Sequence, residues 1–138
     1  MNCIFCKITS KEVDAYVVYE SKKFLAVLDI HPHAPGHTLV MPKNHIENFV
    51  DLPENLFEEF TKTIKEVILL LRKAFQTNDF TIGINEGPLA GRAIPHLHVH
   101  IMPRFPNDQG GSIHSVVKNP PKESLSEIYE KIKNVRES

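Results

Sequence analysis

The stretch His96-Leu97-His98-Val99-His100-Ile101-Met102 places three imidazoles at alternate positions with apolar residues between them. Period two is the side-chain alternation of a β-strand. Read as a strand, Leu97, Val99 and Ile101 point into a core. The three rings share the opposite face, with neighbours roughly 6.5–7 Å apart. A tetrahedral phosphate can then touch the middle ring and one neighbour together, so the chemistry this row suits is displacement at phosphorus. A neutral imidazole, with an ordinary pKa of about 6.5, is a competent nucleophile at pH 7. Its attack on phosphorus gives a phosphoramidate that water opens, which divides one hard displacement into two easier ones. The attacking ring needs its second nitrogen held by an acceptor, the leaving group needs a proton, and the phosphoryl oxygens need donors already in place. His98, at the centre, is the candidate nucleophile, flanked by His96 and His100. The turn Gly87–Ala93 offers backbone N–H groups, with Gly91 allowing close approach; Arg92 adds charge and Asn85 an amide.

A second set of reactive residues lies at the amino terminus, where Cys3 and Cys6 have the spacing of half a zinc site or of a redox pair. Two small buried hydrophobes are the plainer reading. A metalloenzyme with His96, His98 and His100 on one catalytic zinc is also formally open. Its outer rings start about 13 Å apart at the backbone and would need strong strand curvature to converge.

The elements that must carry these residues follow from the apolar pattern. Tyr16–Tyr19 and Phe24–Leu28 read as strands joined by the turn Glu20–Lys23, and His37–Met41 as a third strand after the Pro- and Gly-broken loop 29–36. Asp51-Leu52-Pro53-Glu54 reads as a capped helix start. Leu56, Phe57, Phe60, Ile64, Val67, Ile68, Leu71 and Phe75 recur at helical spacing, so that helix runs to near Thr77. Asp79–Asn85 alternates Phe80, Ile82 and Ile84 inward as a further strand. Leu125, Ile128, Tyr129 and Ile132 mark a last amphipathic helix. Antiparallel strands with one long and one late helix make an α+β class.

At 138 residues the chain is one domain, with 41% hydrophobic and 24% charged residues. A net charge of −1 argues against a broad nucleic-acid or membrane-surface footprint. The apolar run Val67–Leu71 is too short to span a bilayer. No basic, then apolar, leader is visible, and two cysteines make no disulfide framework; a cytoplasmic setting is expected.

Four stretches in order resemble the histidine triad (HIT) family of nucleotide hydrolases and transferases. They are Cys3–Ile8; Asp29-Ile30 with Ala34–Val40; Pro42–His45; and Asn85–Gly87 through Ala90-Gly91 to His96–His100. The resemblance covers roughly residues 3–104 and implies a domain over 1–104; residues 105–138 match nothing in it and are expected as an extension packed on that domain or on its dimer partner. It implies an antiparallel sheet of about five strands, continued across a homodimer. His98 matches the residue that carries the nucleotidyl group, His100 the phosphate-contacting histidine and His37 a supporting fourth histidine. Asn85 and the backbone of Gly91, Arg92 and Ala93 match the rest of the phosphate site. Asp29 matches the ribose ligand, and Ile4, Phe5, Ile8 and Ile30 the purine pocket. Members with the amino-terminal cysteine pair, a bacterial- and archaeal-like branch, are zinc proteins. There Cys3, Cys6, His45 and His96 would bind one structural Zn²⁺, with no organic cofactor. The implied substrate is a purine nucleoside phosphoramidate or dinucleoside polyphosphate giving an AMP-type product. A nucleotide-binding adaptor with little turnover is the competing expectation.

Overall fold

The computed structural model describes residues 2–138. Five strands, β1 (Val17–Glu20), β2 (Phe24–Leu28), β3 (Thr38–Pro42), β4 (Phe80–Gly83) and β5 (Val99–Pro103), form one sheet in the order β1-β2-β3-β5-β4. Every neighbouring pair is antiparallel.

The two faces of the sheet bury different residues. On one, Phe24, Ala26, Val40, Leu97, Val99 and Ile101 pack with Phe60, Val67 and Leu71 of the long helix α2 (Phe57–Phe75). On the other, Leu25, Val27, Leu39 and Met41 pack with Cys3 and Phe5 of the short helix α1 (Ile4–Thr9). The alternation of Leu97, Val99 and Ile101 inward is therefore as the spacing predicts, and all three are buried. The strand itself is shorter than expected. It begins at Val99, and His96 and His98 lie in the extended lead-in that precedes it.

The start of α2 also differs from expectation. Two short 3₁₀ turns, Phe49–Asp51 and Glu54–Leu56, precede it, and Asp51 caps nothing: its carboxylate accepts from the Asn48 side chain at 3.1 Å. Pro53 explains the break. It has no N–H to donate, and its ring excludes the residue before it from helical backbone angles. Phe57, expected on the buried stripe, is 46% exposed at the helix's first turn. The helix ends at Phe75 because Gln76 turns left-handed (φ 52°). Ile82 is 43% exposed, since β4 is an edge strand and lacks a neighbour beyond it.

Beyond β5 the Arg104 guanidinium grips Asp108, Nε to Oδ2 at 2.8 Å and Nη2 to Oδ1 at 3.1 Å. Asp108 also accepts the Phe105 and Gly110 N–H groups, so its carboxyl stays well below the usual carboxylate range. This clamp shapes the loop that leads to α3 (Leu125–Glu137). That helix is closed at its start by a reciprocal Ser124–Glu127 capping box, and none of its residues is buried.

Candidate active site

Each triad ring is held by a different partner, and those partners fix which nitrogen carries hydrogen. A carbonyl oxygen only accepts, so a ring nitrogen bonded to one is protonated. His98 Nδ1 lies 2.8 Å from the His96 carbonyl. Its Nδ1–H is therefore committed to that carbonyl, and Nε2 keeps its lone pair. The edge of Phe5 packs at 5.0 Å between ring centroids and leaves His98 only 8% exposed. His98 thus has what a nucleophile at phosphorus needs: one nitrogen pinned by an acceptor and the other basic.

His100 is set by a relay. The His33 backbone N–H donates to His37 Nδ1 at 3.1 Å, which leaves the His37 proton on Nε2. That Nε2–H faces His100 Nδ1 at 3.0 Å, with Asp29 Oδ2 3.6 Å away. His100 therefore carries its own hydrogen on Nε2, as a donor. Burial lowers the His37 pKa, opposed in part by the Asp29 carboxylate. Burial, with His98 and His37 alongside, pushes His100 down to about 4. Both rings are neutral at pH 7, which is what the relay requires. The His98 and His100 rings are 5.0 Å apart between centroids. A basic nitrogen and an N–H donor thus stand on adjacent rings.

His96 is not part of this pair. Its Nε2–H donates to the Pro42 carbonyl at 2.8 Å and its ring is fully buried. The Nδ1 lone pair faces Cys3 Sγ at 3.4 Å and Cys6 Sγ at 3.6 Å, and Cys6 Sγ lies 3.2 Å from His45 Nδ1. All four ligand atoms fall within 4.8 Å of one another. Arms of 2.3 Å to sulfur and 2.0–2.1 Å to nitrogen at a tetrahedral centre span an edge of about 3.5 Å, so the set has the size of a closed Cys₂His₂ zinc site. Cys3 caps α1 while Cys6 sits in its first turn, which turns both sulfurs the same way. The Leu97 N–H donates to the Ile46 carbonyl at 2.7 Å, bringing His45 beside His96. Asp29, His37 and His100 also lie within ligand distance of one another. Their hydrogen bonds speak against a metal there: the His33 N–H occupies the His37 Nδ1 lone pair, so Nε2 presents a proton. Among the described residues His96, His98 and His100 form no common ligand set, so the catalytic-zinc alternative has no geometric basis.

The remaining candidates divide. Asn85 lines a cavity with His37 and His100. Asp29 is oriented by accepting the His31 N–H at 2.9 Å. Phe5 and Ile8 pack in the α1-side core, whereas Ile30 is 75% exposed and stands outside it. Ile4, 41% exposed, lines a separate cavity of about 400 Å³ with Ala93 and His45. Gly91 sits at φ 93°, a left-handed angle that favours glycine. The Gly91 and Arg92 N–H groups close the turn on Pro88 and Gly87, so of the three expected backbone donors only Ala93 keeps its N–H out of the turn's bonds. The Arg92 side chain is held by residues 47–48. Its guanidinium binds Asn48 Oδ1 at 2.7 Å and Glu47 Oε1 at 3.1 Å. Glu86, which carried no expectation, accepts the Phe49 and Val50 N–H groups. Glu86 and Arg92 thus clasp both ends of the turn to residues 47–50.

Residues 10–107 match the HIT domain. The chain belongs to the HIT family. It is 40% identical over 131 residues to an uncharacterised HIT-like protein of Methanocaldococcus jannaschii, covering 95% of this chain and 98% of that one. The crystal structure of a HIT family member from Bacillus subtilis superimposes with a TM-score of 0.84 at 32% identity, over 97% of this chain and 96% of the other. A zinc-bound histidine triad protein from Mycobacterium smegmatis matches with a TM-score of 0.73 at 34% identity, over 79% of each chain. The five-stranded antiparallel sheet with its helices is therefore the HIT fold. Among the described residues no helix of this HIT protein is long and apolar enough to cross a membrane.

Proposed function

We propose that this HIT protein hydrolyses a phosphoryl bond of a purine nucleotide, either a nucleoside phosphoramidate or a dinucleoside polyphosphate, through a nucleotidyl-His98 intermediate. The observation that carries the reading is the pinned His98 Nδ1–H beside an open Nε2. In the first step the Nε2 lone pair forms a bond to the α-phosphorus, and the bond to the leaving group breaks, the leaving atom keeping the electron pair and, where it is an amine nitrogen, taking a proton from solvent. His98 keeps its Nδ1–H, so the adduct is an imidazolium whose N–H faces the His96 carbonyl. That charge makes the ring a good leaving group when water attacks. The His100 Nε2–H, the Asn85 amide and the Ala93 N–H supply donors to the phosphoryl oxygens, where negative charge grows in each transition state. Asp29 takes the ribose hydroxyls, and Phe5 and Ile8 the inner side of the purine, with the exposed Ile4 and Ile30 side chains free to close on it only from outside that core.

Cys3, Cys6, His45 and His96 would hold a structural zinc. These four residues would then tie the amino terminus to the catalytic segment through His96, whose carbonyl holds His98 in the reactive tautomer. The zinc-bound mycobacterial relative and the fit of the four ligand atoms support this. The partner is a second copy of the chain, supported by the open edge of β4 and by the exposed apolar side of α3, where Leu125, Tyr129, Ile132 and Val135 are 54–81% exposed. Sedimentation at micromolar concentration is expected to show a dimer, and a monomer contradicts that part.

Turnover tests the reading as a whole. Adenosine 5′-phosphoramidate and diadenosine tetraphosphate, assayed side by side by chromatography, should yield AMP from one or both. Tight binding of AMP without turnover of either would instead mark a nucleotide-binding adaptor.

A further inference from the structure

The cluster of Cys3, Cys6, His45 and His96 is unevenly covered. Cys3 and His96 are buried, and so is the contact between them. Cys6 is half-buried and His45 exposed, and their contact lies at the surface. A cavity of about 400 Å³ opens against the same cluster, its lining including Cys3, His45 and Ala93. A small polar oxidant therefore reaches this pair of sulfurs from solvent, whereas a fully enclosed set would be shielded.

The two cysteines are placed to close on each other. Residues three apart at a helix start have Cα atoms roughly 5 Å apart, within the span of about 4.4–6.8 Å that a disulfide bridges. Their sulfurs lie within 4.8 Å of one another, and the Cys6 N–H donates to Cys3 Sγ at 3.4 Å. Joining them takes side-chain rotation and no new backbone path.

Two routes run from these sulfurs to His98. Phe5 sits in the same turn, and its ring meets His98 edge-on at 5.0 Å and His96 at 5.8 Å between centroids. Cys3 Sγ stands 3.4 Å from His96 Nδ1, and the His96 carbonyl holds the His98 Nδ1–H. A change at the sulfurs shifts both the packing of the catalytic ring and the acceptor that selects its tautomer.

We infer that Cys3 and Cys6 are a site of reversible oxidative modification, at which a hydroperoxide converts the two thiols to a disulfide, frees the ion they would hold and loosens the His98 tautomer. Its effect on turnover rests on the nucleotidyl-His98 reading. The Cys6 thiolate, the more accessible, attacks the hydroperoxide. The S–O bond forms, the O–O bond breaks, and the departing oxygen takes a proton and leaves as water or an alcohol. The Cys3 thiolate then attacks the Cys6 sulfur, the S–S bond forms, the S–O bond breaks, and the hydroxide takes a proton and leaves as water. Two thiols are oxidised and one hydroperoxide is reduced. His45 and His96 alone are too few to hold a structural zinc. Cys3 stands close enough to intercept the sulfenic acid before it advances to sulfinic acid, which keeps the change reversible.

The test treats the zinc-loaded chain with hydrogen peroxide and follows four readings. They are zinc release to a chromogenic chelator, the mass of the tryptic peptide Met1–Lys7 that carries both cysteines, the His98 tautomer by nitrogen-15 NMR, and AMP formation. One zinc per chain should be released as the peptide loses two hydrogens. The Nδ1–H preference of His98 should weaken and kcat fall by roughly tenfold or more. Dithiothreitol with added zinc should restore all four. Cys6→His, which keeps four ligand residues without a second sulfur, should hold zinc and keep the His98 tautomer under the same peroxide. Zinc retained with both thiols intact, sulfinic acid in place of the disulfide, or a disulfide that leaves the His98 tautomer unchanged overturns the inference. An untreated wild type that releases no AMP fails the nucleotidyl-His98 reading, while zinc, mass and tautomer still decide the oxidative site.

Discussion

Replacing His98 with alanine should lower kcat for AMP release by roughly 10⁴-fold or more, the scale seen when an enzyme's nucleophile is removed. Among the described residues His98 is the triad ring with an unprotonated nitrogen that has no protein partner, its other nitrogen being fixed by the His96 carbonyl. The His37–His100 relay cannot substitute for it, because both His100 nitrogens are assigned, Nδ1 as acceptor and Nε2 as donor. The same substitution opens space beside Phe5, so misfolding must be separated from lost chemistry. The control is AMP binding by calorimetry, which should persist in the variant, because the proposed ribose and phosphoryl-oxygen ligands, Asp29, Asn85 and His100, are untouched. A His98→Ala protein that still binds AMP and turns over within tenfold of the wild type would remove His98 from the chemistry.

The second large effect concerns the metal. Isolated chain should contain one zinc per protomer, and stripping it with a strong chelator should lower Tm by roughly 10 °C or more. Structural zinc in small peptides contributes about 10–16 kcal/mol of apparent binding free energy. Here the sheet and α2 have a core of their own, so part of the fold should survive while α1 and the His96 segment come loose. Two thiols and two imidazoles left close together without an ion would strain that segment, and its loosening frees the carbonyl that selects the His98 tautomer. Cys6→Ala should reproduce the loss of zinc and most of the shift in Tm. A metal-free protein with unchanged Tm contradicts a structural site at Cys3, Cys6, His45 and His96.

Much of this was readable from side-chain periodicity, and what was not has a common cause. The inward set Leu97, Val99 and Ile101 and the α2 stripe through Phe60, Val67 and Leu71 follow from spacing alone, because burial repeats with the element's period. The same spacing puts three histidines on one face but says nothing of ring rotation. His96 turns to the cysteines, whereas His98 and His100 do not. The groups that set the tautomers are main-chain atoms, namely the His96 and Pro42 carbonyls and the His33 N–H, and no residue type announces them. The sequence places Arg92 beside Gly91 but does not announce that Glu47 and Asn48, distant in the chain, bind its guanidinium. Asp51 had the spacing of a helix cap, which Pro53 pre-empts by fixing the local backbone. The segment Gly110–Val116 carries no periodic pattern. It is placed by the Arg104–Asp108 clamp, a contact between two ordinary charged residues.

The central claim, that an imidazole is bonded to phosphorus in every turnover, is tested most directly by stereochemistry at phosphorus. A substrate with a single-configuration sulfur on the α-phosphorus, hydrolysed in oxygen-18 water, gives a product whose configuration is readable by phosphorus NMR. Two successive in-line displacements, one by His98 and one by water, predict overall retention. Inversion would mean that water attacks directly and that no nucleotidyl-histidine forms.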